Sequence, residues 1–152
     1  AYGPAPGEDG QPLLVEGVTH VLNLGESPSP RAPGLVVVER RFEDLVRIPD
    51  DVALACLDDI HRWLTEPASR VLVHCVMGQH RSPTIVWLYM LAQGMEPLKA
   101  RRRVEAVWNR SWPGHPLLVD TALVALVERH DEAVHRATRA EDALELPDAV
   151  EL

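Results

Sequence analysis

The segment Val71-Leu72-Val73-His74-Cys75-Val76-Met77-Gly78-Gln79-His80-Arg81-Ser82 constrains the fold more than any other part of this 152-residue chain. An apolar, β-branched run ends in His-Cys. Five residues follow, one of them glycine, and Arg-Ser-Pro then opens a helix-like stretch. Strand, short loop and helix in that order predict one unit of an α/β layer structure, with the cysteine at the carboxyl end of its strand. In such a loop the backbone N–H groups turn inward, and a helix N-terminus stands behind them, so the loop binds a dianion. The positive end of the helix also favours thiolate over thiol, and the geometry that holds phosphate therefore activates Cys75 as a nucleophile.

The pattern His-Cys, five residues, Arg-Ser resembles the signature of the cysteine-dependent protein tyrosine phosphatases. Upstream, Gly17-Val18-Thr19-His20-Val21-Leu22-Asn23 resembles a strand motif of the dual-specificity branch, and Arg81-Ser82-Pro83-Thr84 fits that branch too. The resemblance extends, more weakly, from Gly17 to His130. It implies a three-layer phosphatase-type fold, a phosphorylated substrate (a phosphoprotein first) and chemistry that needs no cofactor.

Length suits one domain over residues 1–152, with an irregular start at 1–11 and an acidic tail at 140–152. Apolar runs stay far short of the ~20 residues that span a bilayer. The first residues lack a basic stretch followed by an apolar one, so no signal peptide is expected, although the chain starts with Ala1. Cys56 and Cys75 do not make a disulfide framework, and a catalytic thiolate needs a reducing compartment, which favours the cytoplasm. The net charge of −8 argues against broad nucleic-acid or membrane affinity.

Along the chain, Tyr2 suggests a very short edge strand and Pro12–Glu16 one helical turn. Val18–Leu24 and Leu35–Val38, the latter continuing to Phe42, read as strands. Asp50 or Asp51 caps a helix to Leu64, whose apolar stripe is Ala53, Cys56, Leu57, Ile60 and Leu64. The strand Val71–His74 leads to a helix from Ser82, closed by Gly94. Pro97 starts another helix, running to Trp108. After a loop at 112–116, Leu117–His130 forms the last helix and extends as far as Ala143. Strands alternating with helices predict a central, mostly parallel sheet flanked by helices.

Phosphate monoesters hydrolyse so slowly that catalysis must supply up to ~10²¹-fold. Covalent catalysis divides that barrier into two displacements. Cys75 is the expected nucleophile. Arg81 offers a planar fork for two phosphate oxygens and for charge building on them in the transition state. The N–H groups of Val76, Met77, Gly78, Gln79, His80 and Arg81 complete the cradle, with Gly78 permitting close backbone approach. Ser82 has two compatible readings: a hydroxyl that hydrogen-bonds the thiolate, or an N-cap before Pro83. The resemblance implies that His74 orders the loop through hydrogen bonds.

The leaving oxygen needs a proton, and the dual-specificity branch draws it from an aspartate about thirty residues upstream of the cysteine. Asp44 matches best, following a strand; Asp50 and Asp51 are rivals better suited to capping. Trp112-Pro113 resembles the acid loop of the larger tyrosine phosphatases only superficially, since it follows the nucleophile and Gly114 stands where the acid would be. Trp112 and His115 are candidates to flank the pocket. Arg40 and Arg41 are candidate docking residues for anionic substrates, more so than the basic run Lys99, Arg101, Arg102 and Arg103. Cys56 belongs to the core. The motif contains no metal-ligand set, so the expected chemistry is metal-independent. Two other readings stay open: a phosphoprotein-binding module without turnover, and a rhodanese-like sulfurtransferase. Within the phosphatase reading, phosphoinositide and RNA 5′-phosphate remain alternatives to protein substrates.

Overall fold

In the computed structural model, residues 1–134 are described, with side chains to residue 130. The acidic tail at 140–152 and the continuation of the last helix to Ala143 lie outside the described residues. Four strands pair in parallel in the order β1-β4-β2-β3: β1 (Tyr2–Gly3), β2 (His20–Asn23), β3 (Val36–Glu39) and β4 (Val71–His74). Their carboxyl ends share one register row, Gly3, His74, Asn23 and Glu39. That row is the floor of the candidate site.

All four residues of β2 are buried, so both faces of the central sheet are covered. The helices are α1 (Gln11–Val15), α2 (Asp50–Leu64), α3 (Arg81–Ala92), α4 (Pro97–Val107) and α5 (Thr121–Val134). Every residue of α3 is buried, and the helix packs against α2, α4, α5, β1 and β4. A helix apolar on all sides has to be central, and Ile85, Leu88 and Leu91 place it there. The expected stripe of α2 faces the core, with Ala53, Cys56, Leu57 and Ile60 buried and Leu64 packed at its margin.

Three boundaries differ from expectation. Neither Asp50 nor Asp51 caps α2: extended Pro49 (φ −59°, ψ 140°) is the N-cap, and both aspartates fall in the first turn, where their charge meets the helix dipole. Asp50 accepts from Arg47 Nη1 at 2.6 Å. The last helix begins at Thr121, because Leu117 and Leu118 turn back on His115, and Asp120 Oδ1 then accepts from Leu123 N at 2.8 Å as a cap. Strand β3 ends at Glu39 rather than reaching Phe42, which lets the chain bend toward the signature loop. Among the described residues no helix is long and apolar enough to cross a membrane.

Candidate active site

Cys75 is the first residue past β4, and α3 starts at Arg81, so the signature loop bridges strand and helix as expected. The chain start braces this loop from behind. Cys75 N donates to Gly3 O at 3.3 Å and Ala5 N to Val76 O at 3.0 Å. Gly78 sits at φ +71°, and a β-carbon there would stand 2.5 Å from Pro4 N and 2.6 Å from Gly3 C. Glycine is therefore required twice over, by conformation and by space. On another side, a β-carbon on Gly25 would meet Val76 and Cys75 backbone at 3.1–3.2 Å.

The thiol is buried, with Gly78 N donating to Sγ at 3.2 Å and Ser82 Oγ 3.4 Å away. Ser82 does not cap α3, since His80 holds that position without a side-chain cap bond. Instead Ser82 Oγ donates to Gly3 O at 3.2 Å. One hydroxyl proton cannot serve both acceptors, so it can turn to sulfur only by leaving the carbonyl. Among the described residues, the N–H groups of Val76, Met77, Gln79, His80 and Arg81 donate to no backbone carbonyl. Unpaired N–H groups at a helix N-terminus make an anion cradle.

His74 is fully buried, and its Nδ1 pairs with Cys75 O at 3.1 Å. Burial holds its imidazole below the usual range, with that carbonyl pulling weakly the other way, so the ring stays neutral and Nδ1–H donates.

Arg81 is almost wholly enclosed. Its Nη1 and Nη2 bind Glu26 Oε1 and Oε2 at 2.8 and 3.2 Å, and Nη1 also donates to Phe42 O at 3.1 Å. A guanidinium has five N–H bonds. Glu26 occupies the end-on fork and Phe42 the outer Nη1 bond, which leaves the side-on fork of Nε and Nη2. Nε is buried and has no hydrogen-bond partner. A fork that size accepts two oxygens of a phosphoryl group. The Arg81 hydrogen bond, and a backbone bond in its own loop, hold the Glu26 carboxyl below the usual range.

Glu26 is the residue that reading the sequence missed. It lies in an exposed Pro/Ser loop, where a glutamate is ordinarily solvated. The available signal was its place, three residues beyond Asn23 at the carboxyl end of β2. Asn23 builds that loop: its amide donates to Ser27 O and Ser29 Oγ, both at 2.9 Å, and its Oδ1 accepts from Gly25 N.

Asp44 reaches the same place. Its Oδ2 lies 3.1 Å from His80 Nδ1, and its Oδ1 lies 4.0 Å from Arg81 Nε while accepting from Leu45 N at 3.0 Å. Leu45 adopts φ +58°, a conformation that costs a branched side chain ~1–2 kcal/mol. Such strain gathers where a neighbour must be aimed. Asp50 is instead tied to Arg47, which also binds Asp120 at 2.9 Å.

The loop at 111–116 closes the far wall. Trp112 N donates to Gln79 O at 2.7 Å, and Gly114 N to Thr84 Oγ1 at 3.2 Å. Trp112 and His115 do flank the signature loop, their rings 4.2 Å apart and that of His115 4.9 Å from His80. Burial, and then His80, hold His115 below the usual imidazole range. Arg40 is bound at 2.9 Å to the buried carboxylate of Asp59, and Arg41 binds Glu39 at 3.0 Å. Arg101 lies 5.9 Å from the Trp87 ring centroid. Cys56 is buried, and desolvation pushes its thiol far above the usual range, which makes it inert.

No family model matches the chain. Dual specificity protein phosphatase 26 of Bos taurus is 37% identical over 82 residues, covering 49% of this chain. The chain spans 39% of the length of that curated relative. Among solved structures, a mouse protein of the dual specificity phosphatase class complexed with zinc tungstate superposes with a TM-score of 0.68 and 21% identity, covering 92% of this chain and 84% of that one. Human DUSP28 gives 0.66 and 20%, covering 89% and 92%. At these identities the structural likeness is one of fold.

Proposed function

We propose, from this chain's membership of the cysteine-dependent protein tyrosine phosphatase superfamily on its dual-specificity-like branch, that it hydrolyses phosphomonoesters through a cysteinyl-phosphate intermediate. The observation that carries the reading is the side-on fork of Arg81, whose buried Nε has no hydrogen-bond partner, at the end of the loop whose first residue is Cys75. Phosphate oxygens bind that fork and the free N–H groups of the loop. The Cys75 thiolate attacks phosphorus, the P–S bond forms and the P–O bond breaks. The leaving oxygen takes the proton of Asp44. Water then attacks phosphorus, Asp44 takes a proton from it, and the P–S bond breaks. Ser82 turns its hydroxyl from Gly3 O to the departing thiolate. His74 and Glu26 keep the loop and Arg81 in place.

The rim supports an aromatic ester over a polyanionic one. Met77, Leu45 and Trp112 are exposed around the loop, while Arg40 and Arg41 are already paired. An apolar rim suits an aryl phosphate such as phosphotyrosine in a phosphoprotein. A reducing, cytoplasmic setting suits the thiolate.

Release of p-nitrophenol from p-nitrophenyl phosphate, in reductant and chelator, tests the proposal. Activity is expected from the native chain and none from Cys75→Ser. Phosphopeptide binding without turnover would make it a binding module, and thiosulfate–cyanide turnover a sulfurtransferase.

A further inference from the structure

His80 is part of the phosphate loop by sequence, yet its ring points to Asp44, thirty-six residues away. We propose that His80 is the positioning residue of the acid: its Nδ1–H donates to Asp44 Oδ2 and so turns Oδ1 toward the phosphoryl group on Arg81. The inference rests on the hydrolase reading and on Asp44 as proton donor.

A carboxyl has two oxygens that differ only in what surrounds them. Here Oδ2 is 3.1 Å from His80 Nδ1, and Oδ1 faces the buried Arg81 Nε, which has no hydrogen-bond partner, at 4.0 Å. The oxygen anchored by the imidazole is therefore the one turned from the reaction. Leu45 N fixes the carboxyl plane by donating to Oδ1, which keeps a second lone pair for the transferable proton.

The imidazole is itself held. Backbone places it: His80 is the N-cap of α3, and Thr84 N donates to its carbonyl at 3.1 Å. Packing orients it: the His115 ring lies 4.9 Å away and the Trp112 ring 6.3 Å away, edge-on. The charged and titratable groups facing it are Asp44 from the 42–48 segment and His115 from the 111–116 loop, and Arg81 of its own helix lies 4.0 Å from that same aspartate. His115 Nδ1 accepts from Leu117 N, so that nitrogen is already used and does not compete for Asp44. A loop residue gripping the acid also links its position to the cradle, so the proton donor and the phosphate site move together.

The test is a leaving-group series of aryl phosphates, with His80→Ala, His80→Gln and His80→Asn in native and Asp44→Asn backgrounds. Asparagine puts an amide N–H where imidazole Nδ1 stands; glutamine puts it near Nε2. General acids contribute ~10²–10⁴-fold, so misaiming one is expected to lower kcat ~10-fold or more on phenyl phosphate, with a smaller loss on p-nitrophenyl phosphate. His80→Asn should recover most of the rate, and in the Asp44→Asn background no His80 substitution should matter. Equal losses for all leaving groups, or losses that persist without Asp44, would overturn the proposal and leave His80 as packing. A readout independent of turnover is the imidazole tautomer by 15N–1H correlation NMR. The Nδ1–H form is expected in the native protein, with a shift toward Nε2–H in Asp44→Ala; an Nε2–H ring in the native protein overturns the contact. A native protein that turns over no aryl phosphate refutes the hydrolase reading first, whatever the tautomer shows.

Discussion

Gly78→Ala should damage the loop by an amount the structure fixes. Two costs add. At φ +71° an L-residue costs ~1–2 kcal/mol. The new methyl would also lie 2.5 Å from Pro4 N and 2.6 Å from Gly3 C, backbone atoms that cannot swing aside as a side chain would. Overpacking of that kind costs ~1–3 kcal/mol, for a total of ~2–5 kcal/mol. For a chain of this size each kcal/mol moves Tm by ~2–4 °C, so a fall of ~4–20 °C is expected. Gly34→Ala separates the two costs, because Gly34 has φ +88° with nothing within 4 Å of its would-be methyl. It should show the conformational cost alone. The assay is thermal unfolding of both variants by circular dichroism, with kcat measured beside it. The added methyl at position 78 finds relief only by pushing the loop off the chain start, which takes Gly78 N from Cys75 Sγ, so kcat should fall as well. Equal melting losses for the two variants, or an unchanged kcat in Gly78→Ala, would show that the chain start does not hold the loop through Gly78.

Glu26→Ala frees the end-on fork of Arg81, and misplacement near 1 Å can cost ~10²-fold, so kcat should drop ~10–100-fold with the fold intact by circular dichroism. Because the Glu26 carboxyl is held below its usual value, its hold on Arg81 is complete above the ordinary carboxylate range of ~4.3 and is lost as pH falls through the lowered value. The acid limb of kcat/KM should therefore change shape in Glu26→Gln. Asp44→Asn should cost ~10²–10⁴-fold on phenyl phosphate, and Asp50→Asn no more than about twofold, as for an ordinary surface change. Iodoacetate should alkylate Cys75 alone in the native protein, with inorganic phosphate protecting it; mass spectrometry should find Cys56 modified only after unfolding. The buried neutral Cys56 thiol contributes stability that is complete below ~8.5, where an unfolded thiol ionises, and is lost as pH rises toward its raised value, so the urea midpoint should fall between about pH 8 and 10.

The parts of this molecule legible in its sequence are those set by local rules. Strand β4 could be bounded to the residue because β-branched Val71 and Val73 precede a glycine-bearing loop. The stripe of α2 followed from its period, and Cys56 from its place on that stripe. What stayed hidden depends on partners far away in the chain. Glu26 meets Arg81 across fifty-five residues, and Asp120 is a cap whose other face binds Arg47 across seventy-three. Asp50 looked like a cap because aspartate before an apolar stripe usually is one; Pro49, fixed in φ, took the position. Ser82 shows the same limit, since its hydroxyl answers to Gly3 and Cys75 rather than to its own helix.

How a chain of net charge −8 can attract a dianion follows from where the positive charge is spent. Arg81 is ion-paired with Glu26, so its charge is largely balanced, and Asp44 Oδ1 lies 4.0 Å from its Nε. Arg41, close enough to lower both Glu26 and His74, is bound to Glu39. Little free cationic charge is left at the loop. Attraction must then come largely from fixed dipoles, namely the N–H groups of Val76, Met77, Gln79, His80 and Arg81 and the N-terminus of the fully buried α3. Dipoles fall off with distance faster than charges, so in the proposed reading they would hold a phosphoryl group at contact and do little to gather anions from solution. The Glu26 carboxylate strengthens this division. With Phe42 O it pins the guanidinium so that the remaining fork is already aimed, and oriented donors that need no rearrangement are what stabilise charge building on phosphoryl oxygens. A negative overall charge and the proposed anion site are therefore compatible: in that reading selectivity arises inside the loop, from the guanidinium that Glu26 holds, rather than from the sign of the protein's overall charge.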